Sequence, residues 1–153
     1  MGDEIIRHLG EAQVTSYLKK FGFGSLSIKR GTTSNEISHG LLKVSAKEQI
    51  DFLRKLWGGH LLPPKALDKI KEASEISISK NSRLYGKTGT GCIDKGCMHK
   101  AGKQLGWFIG IFENKSKRYA FATNYSDLKP TRGFAGPKTQ KIIQLFFDKY
   151  YSN

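Results

Sequence analysis

A short segment from Arg83 to Thr90, with the sequence RLYGKTGT, groups residue types suited to holding a small anionic ligand. Lys87 supplies positive charge, and the Thr88 hydroxyl both donates and accepts hydrogen bonds. Gly89 has no side chain, so a ligand can approach the backbone closely there. Taken alone, the same residues also describe an ordinary surface cation beside an irregular strand. Their meaning therefore depends on the elements that position them.

The apolar periodicity predicts helices first and strands later. Residues with an alternating pattern predict three strands, Ser82–Thr90, Leu105–Glu113 and Arg118–Asn124, the last two joined by a tight hairpin at residues 114–117. Helical spacing predicts helices at about residues 3–9, 11–21, 45–57, 65–73 and 137–151. The sequence thus predicts an α+β fold: N-terminal helices, a three-stranded antiparallel meander and a C-terminal packing helix.

Composition narrows the class of protein. The chain has 153 residues and 38% hydrophobic content, which predicts a single domain with a real core. Its formal net charge of +13 is spread thinly and comes mostly from lysine, which favours a solvated surface over a nucleic-acid site. No apolar run approaches the ~20 residues of a membrane span. The start, MGDEIIRH, lacks the layout of a signal peptide, so the location stays open.

The two cysteines leave three interpretations. Cys92 and Cys97 are spaced C-x4-C, with His99 close behind. A zinc site is disfavoured because at most three ligands lie in one loop. A loop disulfide and two unpaired thiols both remain open. We therefore expect no metal and no cofactor.

Five segments, in order, resemble the C-terminal part of a class D (oxacillinase-type) serine β-lactamase, within the β-lactamase and penicillin-binding transpeptidase-like family. They are Tyr17–Ser25, Leu42–Leu53, the Lys-Thr-Gly strand Tyr85–Gly89, the Trp-containing strand Gly106–Glu113, and Arg132 just before the last helix. The tripeptide alone is a weak signal, but five segments in register over nearly the whole chain are a strong one.

The resemblance implies a site for a β-lactam or a peptidoglycan-like small molecule. It implies that the Thr90 N–H is one of two oxyanion donors, and that Lys87 supplies positive potential and assists proton transfer to the leaving nitrogen. The substrate-binding residues that it implies are Thr88, Gly89, Arg132 and Trp107. Penicillin binding and hydrolysis linked to antibiotic resistance are the activities of that family.

The chain also departs from the family pattern. The Tyr-Gly-Asn motif of the family corresponds here to Phe23, Gly24 and Ser25. The family's nucleophilic motif Ser-x-x-Lys and its Ser-x-Val motif should both precede the first helix, and neither is found there. Three Ser-x-x-Lys matches, beginning at Ser16, Ser77 and Ser126, are off position and expected by chance in this composition.

We therefore expect residues 1–153 to form one partial domain that lacks the family's N-terminal strands and its nucleophile-bearing helix. The catalytic nucleophile would be absent, and the isolated chain inactive in hydrolysis. Two alternatives are a non-catalytic β-lactam-sensing module and a basic interaction module that reuses the fold. An incomplete sheet would expose an edge, so we also expect either a missing N-terminal half or self-association to cover it.

Overall fold

The computed structural model describes residues 2–24, 43–79, 81–93, 103–126 and 133–151. The helices are α1 Gly2–Leu9, α2 Glu11–Phe21, α3 Ala46–Trp57, α4 Pro64–Ser74 and α5 Ala135–Tyr151. The strands are β1 Glu75–Ser79, β2 Ser82–Cys92, β3 Gln104–Asn114 and β4 Arg118–Ser126. The chain divides into two compact units, residues 1–52 and 53–153, and each is described by itself.

The first unit contains α1, α2 and the start of α3. Helix α2 ends in a left-handed glycine cap, because Gly22 has φ of 62° and ψ of 38°. Its N–H donates to the carbonyl of Lys19, and the next N–H, from Phe23, donates to the carbonyl of Leu18. This is the Schellman arrangement, which satisfies carbonyls that the helix end would leave unpaired. The Phe23 ring then packs edge-on against Phe52, with centroids 4.7 Å apart.

Helix α3 begins at the capping box that the sequence predicts. The Glu48 N–H lies 3.2 Å from the Ser45 hydroxyl, and the Glu48 carboxylate accepts the Ser45 backbone N–H at 2.7 Å. The two residues thus satisfy each other's donors at the helix start. Toward its C-terminal end, in the second unit, α3 buries Leu53, Leu56 and Trp57.

The second unit is built on a four-stranded antiparallel sheet with the order β1-β2-β3-β4. The α+β class is confirmed, but the predicted count of three strands is wrong. The additional strand, β1, follows α4 without any connecting residue. It pairs with only the first part of β2, from Ser82 to Tyr85.

Helix α5 packs on one face of this sheet and forms the core with it. Leu84, Phe108, Phe112 and Phe147 make up the buried cluster. Phe112 from β3 and Phe147 from α5 stack with centroids 4.3 Å apart and planes 3° from parallel. Burying side chains of this size stabilises the unit by roughly 1.5–3 kcal/mol each. The opposite face carries Tyr85, whose ring lies 5.4 Å from that of Trp57.

Candidate functional site

Within the described residues, part of the outer side of β2 has no neighbouring strand. β1 covers β2 only as far as the pair Glu75 and Tyr85, whereas β3 covers it along its whole length, to the pair Cys92 and Gln104. Among the residues that the structure describes, no strand pairs with the outer side of β2 from Gly86 to Thr90. We call this stretch the β2 edge. It holds the Lys-Thr-Gly segment.

The ladder geometry determines which backbone groups point to this edge. The Asn114 N–H donates to the Lys117 carbonyl at 3.0 Å, so Asn114 turns its backbone groups toward β4. In an antiparallel ladder this direction alternates along the strand, so the neighbouring residues of β3 turn toward β2. Their partners on β2 have odd numbers, as in the pair Lys87 and Ile109. Thr88 and Thr90 therefore direct their N–H and C=O groups to the open edge.

Lys87 lies at the same edge. Its side chain is exposed, and its Nζ donates to the backbone carbonyl of Thr88 at 2.6 Å. Because the Thr88 carbonyl points outward, this hydrogen bond brings the ammonium group to the β2 edge rather than over the sheet. The arrangement places one positive charge at the edge toward which the Thr88 and Thr90 N–H groups point.

Thr90 joins this edge to the start of α5. Its hydroxyl oxygen accepts the Gly136 N–H at 2.9 Å, and the side-chain oxygen of Gln104 accepts the Ala135 N–H at 2.9 Å. Both bonds satisfy donors of the first helical turn, which have no partner within the helix. The hydroxyl of Thr90 is thus structural, whereas its backbone N–H faces the edge. The sequence pattern did not single out Gln104. Its side chain caps a helix that begins 31 residues later, so no motif of neighbouring residues marks it.

The glycines where α5 meets the sheet differ in how much space a side chain would have. A Cβ on Gly106 would lie 2.3 Å from the backbone of Ala135, and one on Gly136 would lie 2.7 Å from the carbonyl oxygen of Gly89. These two glycines are required by close packing between α5 and the sheet. A Cβ on Gly89 would meet only the Cβ of Trp107, at an ordinary 3.8 Å. Nothing in the described parts of the chain therefore requires glycine at position 89.

Trp107 and Phe108 are placed differently. Phe108 is fully buried in the core between the sheet and α5. Trp107 pairs with Gly89 across the ladder and is half-buried on the opposite face, the face that also carries Lys87. Trp107 is therefore available as a wall beside the β2 edge, and Phe108 is not.

The structure does not relate the remaining predicted residues to this edge. Arg132 and Ser25 fall outside the described residues. Phe23 and Gly24 belong to the first unit, where Gly24 follows the α2 cap with φ of 69°. The structure therefore brings together Lys87, Thr88, Gly89, Thr90 and Trp107, all within the second unit.

Cys92 ends β2 and is disulfide-bonded, which removes the unpaired-thiol interpretation for this residue. Cys97, the only other cysteine in the sequence, lies outside the described residues. Within the described ranges no group of three or more potential metal ligands is found. No helix there is long and apolar enough to cross a membrane.

Comparison with known proteins identifies the family. Residues 75–147, which run from the start of β1 into α5, match the penicillin binding protein transpeptidase domain. The chain is 30% identical over 143 residues to the methicillin resistance mecR1 protein of Staphylococcus aureus, and 30% identical over 122 residues to the β-lactamase OXA-10 of Pseudomonas aeruginosa. Residues 75–147 thus belong to the penicillin binding protein transpeptidase domain, and the relatives of the chain include class D β-lactamases.

Solved structures of this family show the same fold. The C-terminal domain of the Bacillus licheniformis BlaR penicillin-receptor superposes with a TM-score of 0.81 at 25% identity, covering 99% of this chain and 57% of that one. The class D β-lactamase OXA-427 superposes with a TM-score of 0.79 at 25% identity, covering 96% of this chain and 63% of that one. The alignment with mecR1 covers 93% of this chain but only 23% of mecR1. The alignment with OXA-10 covers 79% of this chain and 44% of OXA-10. The resemblance seen in the sequence is confirmed, and the chain matches part of each relative's length.

Proposed function

We propose that this chain binds β-lactams, or a peptidoglycan-like small molecule, along the β2 edge. The observation that carries the proposal is the stretch Gly86–Thr90, which has no neighbouring strand on its outer side in the described sheet and at which Thr88 and Thr90 turn their backbone groups outward. A ligand that contains an amide can pair with such an edge in the manner of an added strand. The relatives suggest the ligand class, because the chain is 30% identical to the methicillin resistance mecR1 protein and has the fold of the BlaR penicillin-receptor domain.

The positive charge of the chain supports the proposal that its ligand is an anion. The whole chain carries +13, and Lys87 places an exposed ammonium directly at the edge. We assign Lys87 to electrostatic attraction and to proton transfer toward the leaving nitrogen. The Thr88 hydroxyl and Arg132 would bind the ligand carboxylate, the guanidinium through a charge-assisted fork. The half-buried Trp107 would form a wall on the Lys87 side.

The same edge provides one element of catalysis. The Thr90 N–H is directed outward and would donate to the oxyanion that forms when a β-lactam carbonyl is attacked. Loss of one such donor typically lowers the rate about 10²–10³-fold, so the donor contributes substantially. It does not replace a nucleophile. We propose that the nucleophile comes from outside these 153 residues, and that the isolated chain binds the ligand without opening its ring.

The test combines turnover and binding on the isolated chain. Nitrocefin should show no hydrolysis above background, and intact-mass measurement should show no covalent adduct. Benzylpenicillin should bind saturably and reversibly in a calorimetric titration. Arg132→Ala should weaken this binding, whereas Arg118→Ala, on the strand at the far edge of the sheet, should leave it unchanged. Clear nitrocefin turnover with an acylated chain would refute the proposal.

A sensing role is the second candidate, because the chain resembles a penicillin receptor as closely as it resembles the hydrolases. Sensing and hydrolysis differ in what happens after the ligand is bound. When the chain is supplied with a nucleophile-bearing segment, a hydrolase regenerates free enzyme, whereas a sensor remains acylated. Binding to an anionic polymer that weakens with salt, without any effect of benzylpenicillin, would instead favour the basic interaction module.

A further inference from the structure

Helix α5 begins on a hydrogen-bond acceptor that the sheet provides. The first four N–H groups of a helix have no partner within it, and Phe134, which precedes α5, has no side-chain acceptor. The N–H of the first residue, Ala135, donates instead to the side-chain oxygen of Gln104 at 2.9 Å. Ala135 is fully buried, so loss of this acceptor would leave a buried donor unsatisfied. Gln104 therefore fixes the position at which α5 starts.

The next N–H links the same helical turn to β2. The Gly136 N–H donates to the Thr90 hydroxyl, also at 2.9 Å. Gly136 packs against the Gly89 carbonyl so closely that a Cβ on it would lie 2.7 Å from the carbonyl oxygen. The first turn of α5 thus contacts both residues of one peptide unit, the unit that joins Gly89 and Thr90.

This peptide unit carries the N–H that we assign to the oxyanion. Gly89 has an odd number and turns its backbone groups toward β3, whereas the N–H of Thr90 points to the β2 edge. Both groups belong to one rigid plane, so a contact that holds the Gly89 carbonyl also sets the direction of the Thr90 N–H. An oxyanion donor is effective because it is aimed before the charge develops. A residue that holds this plane therefore contributes to the function of the donor.

We propose that Gln104 is a positioning residue for the Thr90 N–H and acts through the first turn of α5. Gln104 pairs with Cys92 in the ladder, two residues beyond Thr90, and its side chain reaches α5. Through Ala135 it holds the helical turn, and through Gly136 the turn holds Thr90. This inference rests on the proposed function, because the direction of the Thr90 N–H matters only to a ligand at the β2 edge.

Asn114 provides a matched control at the other end of the same two elements. Gln104 and Asn114 are the first and last residues of β3, and they bond to the first and last residues of α5. The side-chain N–H of Asn114 donates to the Tyr151 carbonyl at 3.3 Å. Asn114→Ala should destabilise the second unit at least as much as a change at Gln104, because it also removes an acceptor from the hairpin turn. It should leave the Thr90 N–H unaffected.

Nitrogen-15 relaxation of the whole chain tests the proposal without any ligand. The order parameter of the Thr90 N–H should be about 0.85 in the parent chain, as in rigid backbone, and should fall toward about 0.6 in Gln104→Leu. Gln104→Leu should also lower the melting temperature by roughly 2–8 °C, because the Ala135 N–H loses its partner. Gln104→Glu restores an acceptor and places an acid at a helix N-terminus, so both values should return. If Gln104→Leu does not fold, Gln104→Asn replaces it, because its amide is one methylene shorter.

Benzylpenicillin binding is the second readout. Its dissociation constant should rise about 3- to 10-fold in Gln104→Leu, the effect of losing one neutral hydrogen bond, and should not change in Asn114→Ala. An unchanged order parameter at Thr90 would overturn the proposal even if the melting temperature falls, since Gln104 would then only cap the helix. So would an equal loss of order at Thr90 in Asn114→Ala. If the parent chain fails to bind benzylpenicillin, the proposed function fails, and the order parameter still decides the role of Gln104.

Discussion

Gly89→Ala separates ligand binding from folding more cleanly than any other substitution in the second unit. In the described structure the added Cβ would meet only the Trp107 Cβ at 3.8 Å, an ordinary contact. Replacing glycine by alanine without strain raises stability by about 0.4–1 kcal/mol, because the unfolded chain loses conformational freedom. The melting temperature of the variant should therefore be equal to that of the parent chain or slightly higher.

Binding should respond in the opposite direction. If a β-lactam lies against the backbone at position 89, the new methyl group occupies space that the ligand needs. Overpacking of this kind costs about 1–3 kcal/mol. At about 1.4 kcal/mol for each factor of ten, the dissociation constant for benzylpenicillin should rise roughly 5- to 150-fold. Titration calorimetry measures the change directly, and thermal unfolding of the same sample measures stability.

Gly91→Ala is the matched control for this experiment. Gly91 lies two residues further along β2, on the same face, and a Cβ there would meet nothing within 4 Å. Both variants should fold equally well, and only Gly89→Ala should weaken binding. Equal affinities for Gly89→Ala and the parent chain would show that no ligand approaches this backbone, and the reasoning about the β2 edge would fail.

Three further predictions concern stability. Thr90→Val should lower the free energy of unfolding by about 1–3 kcal/mol, because the Gly136 N–H loses its acceptor, whereas Thr90→Ser should not; chemical denaturation checks both. Gly106→Ala should destabilise the unit by about 1–3 kcal/mol or more, because its Cβ would clash with the α5 backbone, and an unchanged melting temperature would contradict this. The hydrogen bonds from Ser45 lower the pKa of Glu48, so the folded state holds this proton less tightly than the unfolded state. The capping box therefore stabilises α3 above the ordinary glutamate pKa and is lost on acidification, which amide exchange at the helix start should detect in the parent chain and not in Glu48→Gln.

The helices and the hairpin followed from local patterns. The predicted helix at residues 11–21 has the observed bounds, and the capping box at Ser45 forms as expected. At the turn between β3 and β4, the side-chain oxygen of Asn114 accepts the Lys117 N–H at 2.9 Å. Such features depend on residues three or four positions apart, so the sequence by itself suffices to predict them.

β1 was missed for an equally physical reason. It has only five residues, EISIS, and follows α4 with no turn residue between them. Strand prediction relies on such turn signals and on length, and both were absent here. The two isoleucines do alternate with polar residues, which was the one available signal. The consequence matters for the site, because β1 covers β2 only up to Tyr85.

The prediction that residues 1–153 form a single partial domain stays a prediction. The structure describes two compact units, residues 1–52 and 53–153, each by itself. The functional roles of all the predicted site residues are likewise proposals. In contrast, the family assignment needed no structure. Five short segments in order were sufficient, because the residues that approach a ligand are constrained by type and by spacing together.

The sequence alone determined the family resemblance, the α+β class and the residue types of the candidate site, since these depend on local periodicity and on side-chain chemistry. Only the tertiary structure decided that the Lys-Thr-Gly segment lies on an open edge and that Lys87 is held there by the Thr88 carbonyl. It also decided that the Thr90 hydroxyl caps α5 while its N–H remains outward. These facts depend on which strands pair and where pairing stops, and strand pairing joins residues that are distant along the chain.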